Sequence, residues 1–231
     1  MRFRSYFASL FNKFKREQTF NRFESLGYNC EFGFVLKKNG NKISSFFRWA
    51  FILDYKKVCD LISNDFENVF LFKNLTPSVD SRTSIIDNYY NISFHVTIHN
   101  KIINNRAYFI DSEDVIFQKY KKELQKINYL KNKFMNNLVN KNMIYVIKSN
   151  IATPGADIIN LSKIINKKSN GKSCVLYVTI TQNRENLYKL KKYIGNIYIG
   201  YIDRFAPNSN ADESNYAGWS KLLKNAEKII K

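Results

Sequence analysis

The chain has 231 residues, 45% of them hydrophobic and 16% aromatic, with only 8 glycines and 3 prolines. That length and apolar content support a single large domain and leave little room for long disordered linkers. The 37 Lys and Arg against 19 Asp and Glu leave a net charge of +18, which attracts polyanions such as nucleic acid, anionic lipid or phosphorylated metabolites. The lysines run from end to end among asparagines, a spread that fits a general Lys/Asn bias as well as a binding surface.

No apolar run approaches the eighteen residues of a spanning helix. The basic N-terminus has no uninterrupted apolar stretch and no small-residue cleavage site, which argues against secretion and for a cytoplasmic chain. Cys30, Cys59 and Cys174 lie far apart with no CxxC pair. They give neither a disulfide framework nor a zinc site and suit a reducing compartment.

In chain order, residues 1–20 are set apart as a basic amphipathic helix and residues 21–231 as one α/β domain. Phe3, Tyr6, Phe7, Leu10, Phe11 and Phe14 form an apolar stripe over residues 1–17, with Arg2, Arg4, Lys13, Lys15 and Arg16 on the polar side. Such a helix suits an anionic membrane surface and would make the chain peripheral to the inner membrane. The same stripe suits packing on the protein's own core or on a partner. Arg22–Leu26 reads as a short strand, followed by a Gly27-Tyr28-Asn29 turn and a helix from Cys30 to Lys38. The apolar run Phe46–Ile52 comes next, then a helix from Asp54 to Asp65 with Cys59 on its core stripe. Tyr90–Ile98 alternates as a strand, and Asn100-Lys101 reads as the start of a turn.

A long helix capped by Asp111 or Ser112 follows, with Ile116, Tyr120, Leu124, Ile127, Leu130, Phe134 and Leu138 repeating every three or four residues. The last third alternates: strand Met143–Lys148, helix Ala156–Asn166, strand Cys174–Ile180, strand Asn196–Ile202 and helix Glu213–Ile230. Near-continuous apolar strands alternating with helices predict an α/β fold, a mostly parallel sheet flanked by helices on both faces.

Ligands of such sheets bind beyond the carboxyl ends of the strands. That rim would carry Ser149, Asn150, Thr181, Gln182, Asn183, Asp203 and Arg204, with the Gly27–Cys30 turn if its strand joins the sheet. A cysteine at a helix N-terminus feels the positive end of the dipole, which favours thiolate. Cys30 is therefore the candidate nucleophile, with backbone N–H groups beside it to hold an oxyanion. Of the two histidines, His95 is the better base, and Asp203 is the candidate to orient it. His95 and His99 in one strand would stand roughly 13 Å apart at about 3.3 Å per residue, too far to share a metal ion. Neither G-x-G-x-x-G nor G-x-x-x-x-G-K-[ST] occurs, and no RNP-type pattern marks a nucleic-acid module. No cofactor or metal is expected.

The stretch Phe23-Glu24-Ser25-Leu26-Gly27-Tyr28-Asn29-Cys30-Glu31-Phe32-Gly33 and the Phe47-Arg48-Trp49-Ala50 element resemble a bacterial family of unknown function described as papain-like cysteine peptidases. The likeness continues through Tyr89–His95, Tyr129–Phe134, Gly200–Pro207, Asn210-Ala211 and Trp219. The resemblance implies Cys30 and His95 as a dyad in a thiol-dependent hydrolase or acyl transferase. The alternative is a non-peptidase α/β module that binds or transfers an anionic sugar or nucleotide, with Asn29, Arg48, Lys148 and Arg204 as binding residues and Cys30 merely packed.

Overall fold

The computed structural model describes residues 20–52 and 54–230. The amphipathic helix expected over residues 1–17 lies outside them. In chain order the first elements are β1 (Phe23–Ser25), α1 (Glu31–Lys38), β2 (Ala50–Ile52), α2 (Tyr55–Ser63), β3 (Leu75–Pro77), β4 (Ser84–Asp87) and β5 (Ile92–His95). Then come β6 (Asn100–Ile103), β7 (Arg106–Phe109), α3 (Glu113–Asn140), β8 (Ile144–Lys148) and α4 (Ala156–Lys168). The chain closes with β9 (Cys174–Ile180), β10 (Leu190–Lys192), β11 (Ile197–Ile202) and α5 (Tyr216–Ile229).

The central sheet has the order β1-β8-β9-β11-β10; its first four strands run parallel and β10 pairs antiparallel at the edge. Side chains alternate across a strand, and here both sets are apolar. Ile144, Val146, Leu176, Val178 and Ile202 share a core with Phe32 and Val35 of α1 and Trp219 and Leu222 of α5. Tyr145, Ile147, Val175, Tyr177 and Ile199 share the other with α2, α3 and α4. Helices therefore cover both faces, which is why these strands read as unbroken apolar runs.

The parallel reading holds for this sheet alone. A second, four-stranded sheet in the order β2-β5-β4-β3 is antiparallel throughout, and β6 and β7 form a separate hairpin. The strand expected to run to Ile98 stops at His95. Asn100-Lys101 opens β6 rather than a turn; the turn is Asn104-Asn105, both with positive φ (47° and 59°), the conformation a two-residue hairpin needs. The closing helix starts at Tyr216 rather than Glu213, because Asn215 caps it by accepting from the Gly218 N–H. Among the described residues no helix is long and apolar enough to cross a membrane.

Candidate active site

Four short segments bring polar side chains to one end of α1. The Leu26 N–H donates to the Val146 carbonyl at 3.0 Å, which ties the end of β1 to β8. The chain then turns through Gly27 and Tyr28, both at positive φ (87° and 75°). Gly27 is required twice over, since a Cβ there would lie 2.3 Å from Ile52 Cδ1. Tyr28 has no such excuse; an aromatic residue in the left-handed region stores strain that its surroundings must hold. Its carbonyl accepts from the Ile52 N–H, and its ring meets Phe51 at 6.2 Å. Asn29 Oδ1 accepts from the Glu31 N–H at 3.1 Å and starts the helix. Cys30 occupies the N-cap position, half-buried, and its Sγ makes no cap bond.

Glu31 is fully buried and anchors the site. Its Oε1 accepts from the Ala206 N–H (3.1 Å), the Ser214 hydroxyl (3.0 Å) and the Trp219 indole N–H (3.0 Å). Its Oε2 pairs with Lys148, itself buried at the end of β8. Lys148 also lies over the rings of Tyr28 (5.4 Å) and Phe205 (4.9 Å). Burial pulls the Lys148 pKa down, against the Glu31 carboxylate and Cys30, which pull it up. One carboxylate thus joins α1, β8, the 206–214 loop and α5.

His95 is the last residue of β5, paired with Ser84 of β4. Two residues on, Glu123 of α3 accepts from both the N–H (2.9 Å) and the hydroxyl (2.8 Å) of Thr97 and fixes the strand end. His95 reaches solvent, yet desolvation of part of its ring, with help from the charge of Lys126, holds its pKa below the usual imidazole value.

Cys30 and His95 line the same two adjoining cavities, of about 480 and 410 Å³. Both cavities also share Trp49, Asn208, Ser209 and Ala211. No hydrogen bond joins Cys30 to His95; they face a common space. Burial pushes the Cys30 thiol above its ordinary value, with Lys148 opposing. The direction is opposite to the lowering that a helix N-terminus alone predicts, and burial is its largest cause.

Asn29 lines the smaller cavity, and its Nδ2 donates to Asn208 Oδ1 at 3.4 Å. Asp203 does not line either cavity: both its oxygens accept from Asn215 Nδ2 (2.7 and 2.8 Å), so it supports the cap of α5 rather than His95. Arg48 is buried and faces no anion. Its guanidinium donates to the carbonyls of Ile43, Gly33 and Asn41, and burial lowers its pKa to about 10. Arg204 and Lys148 line a third crevice of about 340 Å³ beyond the carboxyl ends of β8, β9 and β11, with Ser149 and Asn150. The crevice meets the Cys30 cavities at Asn208.

Gly33 lets α1 approach the Arg48-Trp49 segment, since a Cβ would lie 2.7 Å from the Arg48 carbonyl and 2.9 Å from the Trp49 ring. Sequence reasoning missed Glu31, because a glutamate in a first helical turn reads as a partner of the dipole. It also missed Trp49 and the 208–212 loop as cleft walls, for which loop composition offers no signal. Among the described residues no three His, Cys, Asp or Glu side chains gather as a metal ion would need. Comparison with known protein families, with curated proteins and with solved structures finds no match in any of the three.

Proposed function

We propose that this chain is a cysteine-dependent hydrolase or acyl transferase, with Cys30 as nucleophile and His95 as general base and acid. The observation that carries the reading is the convergence of a helix-start thiol and a strand-end imidazole, 65 positions apart in the sequence, on one solvent-reaching cleft. The resemblance to papain-like cysteine peptidases points the same way, since its separate elements line or brace that cleft.

The pKa directions define how such a pair would work. With the thiol raised and the imidazole lowered, the resting pair at neutral pH is an uncharged thiol and an uncharged imidazole. The proton moves to His95 as sulfur attacks, and His95 returns it to the leaving group. The Cys30 backbone N–H and Asn29 Nδ2 are the candidate donors to the oxyanion. Asn29 Nδ2 has only a long bond to surrender. Asp203 has no part in this scheme.

The test is turnover of activated esters combined with mass mapping of thiol adducts. Cys30→Ala reduces turnover to background, and His95→Ala lowers the acylation rate by about 10²–10⁴. Activity falls as pH drops through the lowered pKa of His95. Unchanged turnover in Cys30→Ala refutes the proposal.

The reading as an anion-binding module retains one observation in its favour, the crevice at the sheet rim with Arg204 facing solvent. A thermal shift with nucleoside diphosphates, abolished in Arg204→Ala and indifferent to Cys30→Ala, would favour it.

A further inference from the structure

The two cavities that meet at Cys30 and His95 differ in what lines each alone. The larger runs between α1, β5 and α3 and is walled by Phe34, Phe46, Phe94, Ile127 and Leu130, together with Ser45, Lys126 and Asp212. The smaller runs toward β4 and carries Asn29, Asp80, Ser81, Ser84 and Ser93 beside Phe51. Trp49 lines both, its ring edge-on to Phe34 with centroids 5.1 Å apart.

Phe34 lies four residues beyond Cys30 on the same helix, and its N–H donates to the Cys30 carbonyl at 3.1 Å. Residues four apart share a helix face, so a group attached to Cys30 Sγ has the Phe34 ring beside it. Building on the thiol reading above, we propose that the larger cavity is an acyl pocket, selecting substrates whose reacting carbonyl carries an apolar group. The smaller cavity takes the other half of the molecule, a hydroxyl- or amine-bearing leaving group or acceptor whose donors meet Asp80 and the three serines. The balance is simple. Sγ forms a bond to the acyl carbon while its proton passes to His95; the carbon–oxygen or carbon–nitrogen bond breaks, and the leaving group takes that proton. Water, or an acceptor hydroxyl or amine, then attacks the thioester with His95 as base, and sulfur leaves protonated.

Fully buried apolar surface discriminates by about fourfold for each methylene. The experiment therefore uses p-nitrophenyl acetate, butyrate and hexanoate with the full chain, reading the p-nitrophenolate burst and the intact mass of the adduct mapped to Cys30. The expected result is an acylation rate that rises with each added methylene, by up to about fourfold. Phe34→Ala should lower the hexanoyl rate more than the acetyl rate, which compresses the series. Equal rates for acetyl and hexanoyl on a Cys30 that is still acylated overturn the acyl pocket and leave thiol chemistry standing. No adduct on Cys30 from any ester overturns the thiol reading itself, and the pocket with it.

Discussion

Replacing Glu24 with glutamine should make the protein more stable at high pH and change little at low pH. Glu24 sits on β1, 2% exposed, with its Oε1 lacking a partner. Burial raises its carboxyl pKa from 4.5 to about 7, although Asn137, Ser45, Lys133 and Lys141 pull the other way. Between those two values the folded chain keeps a proton that the unfolded chain has released. Stability contributed by the protonated acid is therefore present below pH 4.5 and lost as pH rises through 7. The gap, at about 1.36 kcal/mol per pH unit, corresponds to about 3 kcal/mol. Glutamine offers an uncharged group of the same shape and removes the dependence. Urea unfolding of both proteins at pH 5 and pH 8.5 measures it. The glutamine variant should gain about 2–3 kcal/mol over the parent at pH 8.5 and under about 1 kcal/mol at pH 5. Glu227 is also raised to about 7 by burial, and it cancels because it is common to both proteins. An equal difference at the two pH values, or a larger one at pH 5, refutes the reasoning.

Removing the charge at the Glu31 hub by Glu31→Gln should cost about 3–5 kcal/mol, since Lys148 is left buried and uncompensated. Lys148→Met in the same chain should recover much of the loss, and a double-mutant cycle without coupling would disprove the pairing. Gly33→Ala should destabilise by about 1–3 kcal/mol although alanine is the better helix former; thermal unfolding decides, and a stabilised variant would mean that the helix and the Arg48-Trp49 segment can part freely. Native-state labelling with iodoacetamide should modify Cys30 well before Cys59 and Cys174, whose burial drives their pKa values to about 11 and about 12. Equal labelling rates for the three thiols would count against an open cleft at Cys30.

The central sheet was readable because each of its inner strands is apolar on both faces. Cys174–Ile180 matches the expectation end to end, and the core residues of α3 follow the three-four spacing down to Leu138. The place of Cys30 at the start of α1 was legible from Gly27 and the polar turn, but that β1 joins this sheet could only be assumed from the sequence. The second sheet was not readable. Its strands β3 and β4 span three and four residues, too short for a period of two to declare itself, and Ile85-Ile86 looks like any apolar pair. His95 could be picked by elimination from two histidines, but its neighbours across the cleft come from α3 and the 208–212 loop. Those contacts depend on packing that no local pattern encodes. Asp203 does sit beyond the end of β11, as its position suggested, but its carboxylate is taken by Asn215, a cap contact seen only in three dimensions.

The buried carboxylate next to Cys30 has a consequence for synthesis. Three of its four partners, Ala206, Ser214 and Trp219, are translated more than 170 residues after it. A nascent chain that has emerged only as far as β9 carries the thiol and the imidazole but lacks the groups that seat the helix bearing that thiol. The helix start that carries Cys30 would therefore be seated late, once the last helix has left the ribosome and docked.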